Sequence, residues 1–146
     1  MIFQKIDVNT PIEQINQFAK NTLVEALGIE FTAIAEGMVK ATMPVDHRTH
    51  RPGGILHGGA SLALAETLAG LGSMLMVDIQ VMDVKGIQVS ANHTGSISGG
   101  QVLATAKLIH KGNQTHVWDV SIESESGRLI STQRVTNLIV ERNDRK

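Results

Sequence analysis

The run over residues 55–77, ILHGGASLALAETLAGLGSMLMV, carries a single charged group, the carboxylate of Glu66, near its middle. A stretch of this length could cross the hydrocarbon of a bilayer, which takes about 20 apolar residues. A carboxylate half-way along is costly in lipid, and His57 and the glycines weaken a span further. The same residues read better as a long helix inside a soluble core, apolar nearly all round because other elements enclose it. The rest of the chain must then supply the wrapping.

Downstream, the pattern is strand after strand. Residues 85–97 alternate through Ile87, Val89, Ala91 and His93, and residues 102–109 through Val102, Ala104, Ala106 and Leu108. Residues 116–124 alternate through Val117, Asp119 and Ser121, and 129–140 form the last strand. The breaks at 98–100, 111–114 and 125–127 are turn chemistry. Upstream, IEFTAIAEGMVKATMPV alternates on both sides of Glu36-Gly37 and reads as a hairpin. Residues 46–54, DHRTHRPGG, read as a loop, and 78–85 as a short polar connection. Residues 11–27 read as one amphipathic helix, with Thr10 as N-cap, Glu13 completing a capping box and Gly28 as the stop. The order is helix, two strands, long helix, four strands. It predicts an α+β fold, a curved antiparallel sheet around a central helix with an N-terminal helix beside it. No repeat, low-complexity tract or linker interrupts residues 1–146, so a single domain is expected.

Composition narrows the function. The net charge of -1 leaves no basic field for nucleic acid, and one Trp, three Phe and no Tyr leave no platform for stacked bases. The absence of Cys removes disulfides, thiolate-bound zinc and a thiol nucleophile. Residues 1–14 show no apolar run behind a basic segment, so no signal peptide is expected and the cytoplasm is the expected location.

Glu66 is the first candidate for chemistry. Its neighbours on the helix, Leu62, Ala63, Ala69 and Gly70, are apolar and mostly small. A carboxylate there needs a partner or a cleft, and small neighbours leave room for a substrate. The second candidate is His57-Gly58-Gly59 at the helix start. Free N–H groups and the positive end of the helix dipole point outward there, and glycine lets a ligand approach the backbone closely. That combination can hold the oxyanion that develops on a thioester carbonyl.

HGGASLALAET resembles the hotdog thioesterases that hydrolyse hydroxybenzoyl-CoA, dihydroxynaphthoyl-CoA and related aryl thioesters. ATMPVDHRTHRPGGILHGG, IQVSANH, HKGNQTHVWDVSI and GRLISTQRVTNLIV are similar to the same family, so the resemblance covers about residues 27–140. It implies a hotdog fold, homodimers that assemble to homotetramers, an acyl-CoA substrate with an aryl or bulky acyl group, and no cofactor. In this family the glutamate matching Glu66 is nucleophile or general base. The amide of the glycine matching Gly58 binds the thioester oxygen, and the histidine matching His57 lines the same spot. Residues matching Thr67 and Gly70 border the acyl pocket and the water position. His93 matches a histidine near the acyl group, and the turn of Gly112, Asn113, Gln114 and Thr115 matches a segment that touches CoA. Two positions depart from the pattern. Arg51 stands where the family usually has a glutamine that helps hold the carbonyl, and Gly70 where it often has a serine that positions water.

Other readings are weaker. His47, His50 and His57 lie close in sequence but lack Cys, an HExxH motif or an i,i+4 pair, so no metal site is expected. No GxSxG elbow and no P-loop is present. Met74, Met76 and Met82 read as core filler. The rivals are a hotdog dehydratase or hydratase and an acyl-CoA-binding module without turnover; Glu66 and His57-Gly58 favour the hydrolase.

Overall fold

The computed structural model describes residues 5–143; the leader reading of the first four residues lies outside them. The helices are α1 (Ile12–Phe18), α2 (Leu23–Ala26) and α3 (Gly58–Met74). The strands are β1 (Glu30–Ala35), β2 (Met38–Pro44), β3 (His50–Arg51), β4 (Ile55–Leu56), β5 (Met82–His93), β6 (Gln101–Lys111), β7 (Thr115–Ser124) and β8 (Leu129–Glu141). Six strands make one antiparallel sheet in the order β1-β2-β6-β7-β8-β5. Alternate residues of β2, β6 and β7 (Val39, Ala41 and Met43; Val102, Ala104 and Ala106; Trp118, Val120 and Ile122) are buried in one core with Leu64, Ala65, Leu68 and Ala69 of α3. Strand period and helix period thus meet in a single layer, the wrapped helix that the sequence predicts.

Gly72 makes the closest helix–sheet approach possible, because a β-carbon there would collide with the Trp118 ring. One turn of helix away from Ala69, Ser73 is a buried polar node. Its Oγ accepts from Trp118 Nε1 at 2.9 Å and from Asn137 Nδ2 at 3.0 Å. Both acceptor positions are then filled, so the Ser73 proton goes to Nδ1 of His116, 2.9 Å away. His116 therefore carries its proton on Nε2 and is neutral, in keeping with the way burial pushes its pKa below the usual histidine value, helped by the nearby Lys111 and His110. Asn137 Nδ2 also donates to the Ala69 carbonyl at 3.0 Å, tying α3 to β8.

Several expectations need correction. The helix expected over residues 11–27 is two short helices. Asn21 takes a positive φ of 60°, and the Thr22 hydroxyl donates to the Ala19 carbonyl and accepts from Val24 N–H, starting a new helix. The Thr10 cap is absent: its hydroxyl accepts from Asp7 N–H at 2.9 Å, a local turn that competes with capping, and Pro11 occupies the N-cap position without a side-chain bond. The expected loop over 46–54 contains β3, which pairs with β4, so the apolar run from residue 55 opens as a strand, and α3 begins at Gly58, at the start expected for His57-Gly58-Gly59. It ends at Met74 rather than residue 77. β5 begins at Met82, inside the expected connection, because the long β8 continues to pair it as far as Glu141.

The enclosure of α3 is also one-sided. Leu64, Leu68 and Ala69 are fully buried, but Leu62, Ala63, Thr67 and Gly70 are half-buried and Glu66 is exposed. Those positions fall at helical spacing on one stripe, which the sheet of a single chain leaves open. Among the described residues no helix is long and apolar enough to cross a membrane.

Candidate functional site

At the start of α3, His57 is the N-cap. Its Nδ1 accepts from Gly59 N–H at 2.7 Å, which leaves the other ring nitrogen to carry the proton and face outward. Ala60 and Ser61 N–H both donate to the His57 carbonyl. Among these first amides of the helix, Gly58 N–H alone has no acceptor within the described residues. The Gly58 position opens into a cavity of about 340 Å³ whose lining includes Arg51, Ser61 and His93. His93 Nε2 lies 2.7 Å from where a β-carbon on Gly58 would stand, so glycine is what lets ring and backbone come together. The far side of that ring is held: His93 Nδ1 is 3.0 Å from Ser131 Oγ, which also accepts from Gln133 Nε2 at 3.2 Å.

Half-way along α3 the surroundings change. Glu66, Thr67 and Gly70 border a second cavity, also about 340 Å³, whose other walls are Thr22 and apolar side chains, among them Ile15 and Phe18 of α1, Phe31 of β1 and Leu71 and Met74 of α3. No side chain among the described residues hydrogen-bonds the Glu66 carboxylate. Its Oε1 lies 2.9 Å from the point where Gly86 of β5 would carry a β-carbon, so any larger residue at 86 would displace it. The Thr67 hydroxyl donates to the Ala63 carbonyl at 2.7 Å. Nothing lies within 4 Å of a β-carbon on Gly70.

The residues marked in the sequence therefore fall into three places. Arg51, Gly58 and His93 share one cavity, with His57 capping the helix beside it. Glu66, Thr67 and Gly70 share the other, and no lining residue is common to both. The turn of Gly112, Asn113, Gln114 and Thr115 lines neither. It closes through Gly112 N–H to the Thr115 carbonyl and receives Ile139 N–H at the Gln114 carbonyl. Thr115 pairs with Leu138 and His93 with Ser131, so along β8 the turn and the His93 cavity are about 23 Å apart. His50 donates through Nε2 to the Ser98 carbonyl and His47 lies exposed beside Asp46, so these two rings do not converge with His57.

Residues 53–131 match the sequence profile of the thioesterase superfamily. The chain belongs to that superfamily. It is 43% identical over 130 residues to the proofreading thioesterase EntH of Cronobacter turicensis, covering 88% of this chain and 93% of that one. The crystal structure of a point mutant of thioesterase PA1618 from Pseudomonas aeruginosa superposes with a TM-score of 0.90 at 40% identity, over 95% of this chain and 100% of that one. Thioesterase HI1161 from Haemophilus influenzae gives 0.87 at 38% identity, over 94% and 96%. The fold is the hotdog fold, and the chain is a hydrolase of thioesters.

Sequence reasoning passed over Gly86, Ser131, Gln133 and the α1 side of the Glu66 cavity. The apolar face of α1 was visible in Ile15, Phe18 and Ala19, but not what it would face. Gly86 and Ser131 have no local signal, because each matters only through the pairing of β5 with β8 and the packing of α3.

Proposed function

We propose that the chain hydrolyses acyl-CoA thioesters with bulky acyl groups, aryl groups among them, at sites shared between the two protomers of a homodimer. The observation that carries this reading is the separation of two unpaired groups on one helix. Among the described residues Gly58 N–H lacks an acceptor and Glu66 lacks a donor, and at 1.5 Å rise per residue they are about 12 Å apart along the axis. An oxyanion donor acts within about 3 Å of its oxygen, and the carboxylate must reach the adjacent carbon or its water. A glutamate side chain does not span the difference. Two copies of α3, packed antiparallel along their open stripes about a two-fold axis, would bring each Gly58 to the other chain's Glu66.

In that arrangement the Gly58 amide and the helix dipole hold the thioester oxygen, with Arg51 and His93 at its rim. Glu66 acts in one of two ways. Its carboxylate attacks the carbonyl carbon, the C–S bond breaks, and water hydrolyses the resulting anhydride. Otherwise it takes a proton from water, whose hydroxide attacks the same carbon. Either route consumes one water and releases carboxylic acid and CoA thiol. Thr67 and Gly70 border the acyl group, and the 112–115 turn of one chain or its neighbour receives CoA.

Release of free thiol from a panel of acyl-CoAs tests the reading, since a binding module and a dehydratase release none. Wild-type protein is expected to favour aryl-CoAs over acetyl-CoA in kcat/KM. Glu66→Gln, which keeps shape and removes charge, is expected to lower kcat by about a hundredfold or more. Near-normal turnover by Glu66→Gln would overturn the assignment.

A further inference from the structure

We infer that Ser131, buried in β8, fixes the His93 ring as a proton donor to the thioester oxygen, so that the oxyanion is held by two groups, the Gly58 amide and the His93 imidazole. The inference rests on the reading of Gly58 as the oxyanion donor and deepens it.

The distance comes first. His93 Nε2 lies 2.7 Å from the point where Gly58 would carry a β-carbon. A β-carbon stands about 2.5 Å from its own amide nitrogen, by ordinary bond lengths and angles. The ring nitrogen and the Gly58 nitrogen are therefore at most about 5 Å apart. One oxygen can lie about 2.9 Å, the usual N–H···O length, from two donors at that separation. Both residues line the same cavity. Strand pairing holds the ring in place, since His93 and Ser131 are register partners of β5 and β8.

The position of the ring proton decides what His93 does there. A bare Nε2 turns a lone pair toward the oxyanion, and a protonated Nε2 turns a donor. On the far side, His93 Nδ1 is 3.0 Å from Ser131 Oγ. Ser131 is fully buried, so its hydroxyl proton goes to a neighbour within the chain. Its oxygen accepts from Gln133 Nε2 at 3.2 Å, so Gln133 does not take that proton. Two acceptors are left, Nδ1 and the Asn92 carbonyl, and the carbonyl at 3.4 Å is too far for a good O–H···O bond. The hydroxyl donates to Nδ1, and the ring carries its own proton on Nε2, beside Gly58. A neutral donor held by a strand suits a place where negative charge develops. Ser131 is thus a positioning residue that acts through His93. Gln133 takes part as well. It is buried on the same face of β8, and its Oε1 has no partner among the described residues, so its amide serves Ser131 while leaving an oxygen unpaired. The reversed amide would draw the Ser131 proton to itself and leave Nε2 of His93 bare.

The test has two readouts. Proton–nitrogen correlation NMR of histidine-labelled protein reports which ring nitrogen carries the proton, and His93→Gln identifies the His93 signals. In alkaline solution, where free imidazole is neutral, wild type is expected to carry it on Nε2. Gln133→Glu keeps the shape, but its carboxylate only accepts, so it takes the Ser131 proton and is expected to move the His93 proton to Nδ1. Gln133→Met leaves Ser131 to serve His93 and is expected to keep the proton on Nε2. The second readout is thiol release from benzoyl-CoA. His93→Phe is expected to lower kcat by about a hundredfold, the cost of one oxyanion donor, with KM little changed. Gln133→Glu is expected to fall in the same direction and Gln133→Met to keep most of its kcat. Where Gln133→Glu does not fold, Ser131→Ala takes its place and is expected to lower kcat without a matching change in KM. A proton on Nδ1 in wild type, or wild-type kcat in His93→Phe with Glu66→Gln inactive, would overturn this inference and leave the shared-site reading standing. Near-normal turnover by Glu66→Gln would instead overturn the reading beneath it.

Discussion

The start and the middle of α3 are built from different materials. At the start the useful group belongs to the backbone: the Gly58 amide, unpaired because His57 takes the next one, at the positive end of a helix with a guanidinium and an imidazole at the rim. In the middle the useful group is one side chain, Glu66, on a stripe of small and apolar residues beside a cavity with no free side-chain donor among the described residues. On the proposed reading the start can stabilise a negative charge but, among the described residues, has no carboxylate beside it, and the middle has the carboxylate but no donor beside it. Each half would then need the other, and the length of the helix keeps them apart within a chain.

The strongest way to break this comparison is to damage each half in a different protomer. Glu66→Gln disables the middle. Gly58→Pro removes the amide while keeping a helix-start conformation, and its ring must also push His93 aside. Each variant alone is expected to lose about a hundredfold or more in kcat. After co-refolding of equal amounts, about half the dimers are mixed, and each has one intact site, so about a quarter of wild-type activity returns. Mixed dimers that form and show no recovery would place both halves within one chain.

A smaller effect separates the buried side of the same helix from its open stripe. Gly72→Ala forces a β-carbon into the Trp118 ring and is expected to destabilise the fold by about 1–3 kcal/mol in denaturant titration. Gly70→Ala, two residues away, meets nothing and is expected to stabilise by about 0.5–1 kcal/mol through helix propensity. Equal effects would mean that the open stripe is as tightly covered as the buried side.

The pH dependence of stability probes the buried side again. His116 is neutral in the fold, its pKa lowered chiefly by burial, whereas in the unfolded chain it titrates near 6.5. Below that value the unfolded state binds more protons, so the stability contributed above pH 6.5 falls as pH drops toward the folded pKa. The thermal midpoint is expected to decline on acidification, and His116→Asn, whose amide oxygen can replace Nδ1 toward Ser73, is expected to flatten that decline. An unchanged slope would remove His116 from the acid sensitivity. The smallest expected effect is that of Gly70→Ser. The open space accepts the hydroxyl, so stability should move by no more than about 0.5 kcal/mol, and the readout is whether turnover rises.

How much of this was legible depends on range. The alternation of β6, β7 and β8 was plain, because one face of each is packed and a two-residue period follows directly from strand geometry. The N-terminal helix was misread as continuous, since the break at Asn21 depends on the Thr22 hydroxyl outcompeting the helix over a few residues. Glu66 and Gly58 stood out from their neighbours alone, one as a carboxylate in an apolar run and the other as a glycine at a helix start. The burial argument that first singled out Glu66 does not describe it, since it is exposed in the chain.

By itself the sequence determined the order of the six main-sheet strands about the central helix and the two groups on that helix, because these depend on periodicity and residue type within a few turns of chain. Tertiary structure decided the rest. Asn16 meets Phe31, Ser131 stands behind His93, and Gly86 makes room for the Glu66 carboxylate through strand pairing and helix packing that no local pattern records. The division of the candidate site into halves also needed the fold. A wrapped helix with one open side leaves the amide and the carboxylate without partners among the described residues, and it is there that the proposed second copy would complete them.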